Sequence, residues 1–177
     1  YQSDLGIVAE LPLVAARLVS ASALFDLVSA AFVDALVTKL AQNRNGLYAA
    51  LNYDGNMQWD PVHSFDDPVL AAFNLDQKRD KGFGAALGPD ATQYLEQVLR
   101  TAGFSVETGK SPWLLQVDDH KLVEELVEGI TAAVLDGYGL SAVQLGHWKE
   151  FRLAHAATGK CEVGHMDLLA LPARPAS

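Results

Sequence analysis

Between Trp59 and Gly88 the chain gathers side chains able to bind a ligand and move a proton: Trp59, Asp60, His63, Asn74, Gln77, Lys78, Asp80 and Lys81. Asn74, Gln77 and Lys81 stand at i, i+3 and i+7, so they share one face if a helix runs through all three. Lys81-Gly82-Phe83-Gly84 surrounds an aromatic with glycines, the composition of a lid over a site. His63 is the candidate general base, because an imidazole changes protonation near neutral pH. The bland alternatives are a solvated loop histidine at His63 and, for Asn74, Gln77, Asp80 and Lys81, a helix end stapled to its loop by hydrogen bonds.

The other reactive residue types form no pattern. His120, His147, His155 and His165 lack any metal-ligand spacing, and Cys161 is the single cysteine, so neither a metal nor an internal disulfide is expected. No G-x-S-x-G surrounds Ser20 or Ser22, which argues against a serine hydrolase. Trp113 and Trp148 read as core anchors, and Glu124, Glu125 and Glu128 as a solvated helix face.

These residues need a frame. Ala16 to Ala21 is a short candidate strand ending in the small, polar Ser20-Ala21-Ser22. Asp26 follows inside an apolar run, as a polar group facing a site or as a local cap or salt bridge. Ser29 is placed to cap a helix over Ala30 to Gln42, and Asn43-Arg44-Asn45-Gly46 to stop it. Leu47 to Tyr53 is almost continuously apolar, as in a strand buried on both faces. Asp54-Gly55 signals a tight turn, with Met57 to Asp60 returning as a short antiparallel strand. Asp67-Pro68 predicts the cap and first residue of a helix reaching Lys78. Gly88-Pro89 opens another helix, ended by Gly103. Phe104 to Thr108 and Trp113 to Val117 are strand-like. Asp118 and Ser141 cap helices reaching Asp136 and Gly159, and Cys161 to Leu171 is the last strand. The tail from Pro172 to Ser177 is expected to fray. The order predicts a single α/β domain with an antiparallel element at one edge.

Composition narrows the partners. Half of the 177 residues are hydrophobic, enough for a sizeable core. The formal net charge of −9, with no cluster of Lys and Arg, argues against nucleic acid. No apolar run approaches the roughly 18–20 residues needed to span a bilayer, and no basic, apolar leader is present, so the expectation is a cytoplasmic protein without membrane contact.

Four stretches together, "LVSASALFDLVSAAFVDAL", "YAALNYDGNMQWDP", "FNLDQKRDKGFGAALGPDA" and "EVGHMDLLALP", resemble a group of bacterial class I S-adenosylmethionine-dependent methyltransferases. The resemblance covers nearly the whole chain. It implies a Rossmann-like sheet in which Arg17 to Ala21 is strand 4, Leu47 to Tyr53 strand 5, Phe104 to Thr108 strand 6 and Glu162 to Leu171 the antiparallel strand 7, ordered 4-5-7-6. It also implies that Ser20, Ala21 and Ser22 border S-adenosylmethionine, and that Asp4 and Leu5 lie at its adenine. Asp26, Asn74, Gln77, Asp80 and Lys81 would then face the methyl acceptor.

The departures matter as much. The family's glycine-rich loop and the acid that holds the ribose have no counterpart here; Gly82-Phe83-Gly84 follows no strand. The chain thus resembles the C-terminal part of such an enzyme, expected to bind the cofactor poorly alone. Its acceptor would be a small molecule or a protein. An uncovered strand 4 would be an open edge, which predicts a homodimer. The alternative is an α/β interaction or assembly module without chemistry.

Overall fold

The computed structural model describes residues 8–135 and 138–173. Its elements are β1 (Leu18–Ser22), α1 (Ala30–Asn43), β2 (Gly46–Asp60), α2 (Asp66–Gln77), α3 (Ala91–Thr101), β3 (Phe104–Lys110), β4 (Trp113–Leu115), α4 (His120–Val134), α5 (Ala142–His155) and β5 (Lys160–Pro172). The strands form one mixed sheet flanked by helices, in the order β1-β2-β5-β3, with β4 also paired to β5. β1 and β2 are parallel, joined through α1, and β5 runs antiparallel to β2, β3 and β4.

Local chemistry explains the boundaries. The Ser29 hydroxyl accepts the amide of Phe32 and so caps α1. Arg44, in the left-handed region at φ 56°, ends α1 by donating its amide to Leu40 and Ala41. α2 begins one residue before Asp67, with Phe65 at the N-cap position and no side-chain cap. The Gly88-Pro89 segment forms a short 3-10 turn, and α3 proper starts at Ala91. At the start of α4, Gln116 and Asp119 cap one another across a 3-10 turn, displacing Asp118 from the expected cap. Ser141 caps α5 as expected, but α5 ends at His155, short of Gly159.

The tight turn expected at Asp54-Gly55 is not a turn between strands. β2 runs straight through it, because β5 is long enough to pair with β2 from Leu47 to Asp60. The Asp-Gly pair forms a bulge instead, with Gly55 at φ 84° and the Asp54 carboxylate accepting the Asn56 amide.

Two bulges in β2 decide which face each residue serves. From the Ala49–Leu168 pair to the Asn52–Met166 pair, β2 advances three residues while β5 retreats two. That single extra residue falls at Leu51, at φ 54°, and it switches the facing of everything after it. From Tyr53–His165 to Met57–Val163, β2 advances four residues against two, and the facing is kept.

The core divides accordingly. On one face α1 and α3 pack over Leu47, Ala49, Val106, Leu168 and Ala170. On the other face, at the far end of the sheet, α2, α4 and α5 pack over Tyr53, Leu115, Cys161 and Val163. Trp148 is an anchor of this second core, as expected, whereas Trp113 is 38% exposed. Burial pushes the Cys161 thiol up to about 12 and leaves it a packing group.

Candidate functional site

β1 ends where it pairs with Ala50 of β2, and the chain leaves the sheet there. Ser20 and Ser22 are exposed and Ala21 is half-buried, so the Ser-Ala-Ser stretch presents two hydroxyls and no bulk. Ala23 follows at φ 50°, its amide held by Ala50. The next turn, Phe25–Leu27, buries Phe25 completely and turns Asp26 inward.

Asp26 is the anomaly of this region. It is 8% exposed and its Oδ1 has no hydrogen-bond partner among the described residues. Burial raises its carboxyl above the usual carboxylate range; its own backbone amide and the charge of His165 offset part of that.

Beside this exit lies the glycine loop. Ala86 bridges to Ser29, the amide of Leu87 donates to the carbonyl of Val28, and Phe83 meets Phe32 edge to face at 5.8 Å. Asp80 shapes the loop by accepting the amides of Gly82 (2.7 Å) and Gly84 (3.0 Å).

The helical face expected from Asn74, Gln77 and Lys81 does not exist, because α2 ends at Gln77 and Lys81 lies in the loop. The Asn74 carboxamide accepts from the Tyr53 hydroxyl (2.8 Å) and donates to the Gly55 carbonyl (2.9 Å), which ties α2 to the second bulge. Lys81 turns to Asp76 at 2.9 Å. Burial alone would raise the Asp76 carboxyl. Lys81, Tyr138 and Arg79 outweigh it and hold the group below its ordinary value. Gln77 is half-buried at the helix end, with no side-chain hydrogen bond among the described residues. This is the stapled helix end rather than a set of side chains aimed at one ligand.

His63 lies at the other end of the sheet from the β1 exit. It follows Asp60, and along the regular β5 the partners of Ala49 and Asp60 are eight residues apart, roughly 26 Å. Its Nδ1 accepts the Phe65 amide and its ring packs on Phe151 at 4.8 Å. Nearby, Arg152 donates to Asp66 and to the Pro61 carbonyl, with Trp59 over its guanidinium, a buried ion pair of the second core. Asp4 and Leu5 lie outside the described residues.

The group that sequence reasoning missed sits at the Leu51 bulge. Asp167 Oδ1 accepts the Leu51 amide (2.9 Å) and the Ser111 hydroxyl (2.5 Å), and Oδ2 accepts the Tyr48 hydroxyl (2.5 Å). Burial works against the charge, but these three donors and the nearby His165 hold the carboxyl below its ordinary range. His165 is two residues away on the same strand face, with Trp113 tilted over it at 4.9 Å. The four residues come from β2, β5 and the β3–β4 connection, so no spacing could reveal them.

Among the described residues there is no cluster of His, Cys, Asp or Glu able to hold a metal, and no helix long and apolar enough to cross a membrane. No family model and no curated protein matches the chain. Among solved structures it is similar to Haemonchus contortus phospholethanolamine N-methyltransferase 2, in complex with phosphomonomethylethanolamine and S-adenosylhomocysteine. The TM-score is 0.34 and the identity 12%, over 89% of this chain and 34% of that one. The chain thus spans about a third of that enzyme's length, and a likeness of this degree carries no argument about activity.

Proposed function

We propose that this chain is the acceptor-side portion of an S-adenosylmethionine-dependent methyltransferase of the class I, Rossmann-like kind. The observation that carries the reading is the strand order. With β1, β2, β5 and β3 taken as strands 4, 5, 7 and 6, the order β1-β2-β5-β3 is 4-5-7-6, and strand 7 is antiparallel. Three of the four stretches of sequence resemblance fall on β1 with α1, on β2 and on β5; the other covers the end of α2 and the loop that follows.

Ser20, Ala21 and Ser22 suit one wall of a cofactor cleft, because small residues at a strand end let a ligand approach the backbone. Among the described residues nothing supplies the opposite wall: no glycine loop joins a strand to a helix there, and no carboxylate stands on a strand beyond β1. The described residues therefore do not fit the whole cofactor. The reading takes its remaining half from outside this chain and assigns these residues to binding, orienting and shielding the acceptor.

Calorimetric titration of S-adenosylhomocysteine tests it. The chain extended by its encoded upstream residues is expected to bind, and residues 1–177 alone ~100-fold more weakly. Absence of binding by the extended chain would falsify the assignment.

A second reading has its own observation. Leu18, Tyr48, Leu169 and Leu171 are all exposed on one sheet face, beside a strand edge that has no partner among the described residues, as in a module whose role is assembly. That module would bind no S-adenosyl ligand at any length.

A further inference from the structure

β5 is regular where it crosses the Leu51 bulge, so His165, Asp167 and Leu169 share one face while Met166 and Leu168 turn to the other. Beside β1 this face is uncovered at Tyr48, Leu169 and Leu171, and next to them His165 is packed between Trp113 and Tyr53; together they bring an imidazole, a carboxylate, a phenol, a hydroxyl and an indole to one face.

Their hydrogen bonding fixes what each can still do. His165 Nδ1 lies 3.0 Å from the Val163 carbonyl, which can only accept. In the neutral ring the proton is therefore assigned to Nδ1, and Nε2 carries the lone pair. The side chain is 7% exposed, and Nε2 has no hydrogen-bond partner among the described residues. Tyr48 and Ser111 already spend their hydroxyl protons on Asp167. What remains open at Tyr48, Ser111, Asp167 and His165 is acceptor capacity only. A ligand seated here must donate. A flat ligand suits it, because Trp113 leans over His165 and is itself 38% exposed, and Tyr48 is partly exposed on the same face. A ligand anion is disfavoured by the Asp167 carboxylate.

We propose that His165, Trp113, Tyr48 and Asp167 form a binding site for a neutral phenol, whose ring packs on Trp113 and whose hydroxyl donates to His165 Nε2. The binding site stands on this geometry. Its being the methyl-acceptor site rests on the methyltransferase reading. In that role the phenol O–H bond breaks, the proton passes to Nε2 and the electron pair stays on the phenol oxygen. The charge of the imidazolium so formed is favoured by the nearby Asp26 and Asp167, on whose carboxyls His165 acts electrostatically.

The test uses residues 1–177 with nitrogen-15 in the histidine rings. 4-Methylphenol is titrated against 4-methylanisole, the same ring with its donor replaced by a methyl ether, while ring-nitrogen resonances and tryptophan fluorescence are followed. The expected result is a shift at His165 Nε2 with 4-methylphenol, ~10-fold weaker binding of 4-methylanisole, and a comparable loss for His165→Gln and Trp113→Ala. His63→Gln should bind as the parent does. Equal binding of the two probes, or an unmoved His165 resonance, overturns the proposal, and both are read on the unsubstituted chain even if a variant fails to fold. No S-adenosyl ligand is present, so failure here leaves the calorimetric result standing, and the reverse holds.

Discussion

Asp26 and Asp167 are two carboxylates at the same end of one sheet, pushed in opposite directions by their surroundings. Asp167 receives three donors, so its stabilising contribution is present above the unfolded carboxylate pKa and is lost as pH falls through its lowered folded value. Asp26 is buried with an unpartnered oxygen, and its folded pKa is raised. The folded state therefore keeps the proton through a window where the unfolded state has released it. Stability is lost as pH rises from the ordinary value of about 3.9 through the folded value. Asp26→Asn is accordingly expected to stabilise the chain by ~1 kcal/mol at pH 8 and to change little below about pH 4. Urea denaturation at the two pH values measures this, and an equal effect at both would show that ionisation is not the cause. Composition and residue type flagged Asp26 in the sequence but gave no hint of Asp167 or His165. Those two owe their surroundings to cross-strand partners separated from them by 56 to 119 residues in the case of Asp167.

At the scale of elements, most boundaries follow from chemistry legible in the sequence. Ser29 and Ser141 cap where a serine should, and Gly103 stands past the end of α3 at φ 86°. Asp54-Gly55 was legible only as a bend. Whether such a pair reverses a strand or bulges it depends on the length of the partner strand, which lies more than 100 residues away at β5. The face shared by Asn74, Gln77 and Lys81 failed because nothing in periodicity marks the end of α2 at Gln77; the Lys81–Asp76 contact settles that side chain elsewhere. Glycines separate by what surrounds them. A Cβ at Gly159 would stand 2.5 Å from the Asp60 carbonyl oxygen, between α5 and β5, whereas Gly129 in α4 and Gly146 in α5 face open space. Gly159→Ala should therefore destabilise by ~1–3 kcal/mol, while Gly129→Ala and Gly146→Ala should each stabilise by ~0.5–1 kcal/mol. Thermal melting of the three variants would show opposite signs, and a uniform response would refute the assignment.

At the scale of the whole fold, β1 pairs on one side only among the described residues, and its neighbouring face carries exposed Leu18, Tyr48, Leu169 and Leu171. An open edge beside apolar side chains is a template for another chain. Residues 1–177 are expected to sediment as a dimer at micromolar concentration, and Leu18→Lys to shift them toward monomer. A clean monomer for the unsubstituted chain would remove the edge as an association surface. The mixed α/β class and an antiparallel last strand were legible from element order, but that strand's expected place at one edge was wrong: β5 lies inside the sheet, between β2 and β3, because its length lets it pair on both sides. The division of the core between opposite faces was not legible, because it depends on a single residue at Leu51.

That division sets how the gene can change length. The two helical layers read the same pair of strands from opposite sides, so an odd insertion or deletion in β2 turns Trp59 and Met57 out of their layer, or Leu47 and Ala49 out of theirs. Changes in steps of two near Asp54-Gly55 leave both layers in phase. Descendants of this chain can drift in length at the second bulge while the first stays fixed, and the first is where Asp167 grips the backbone.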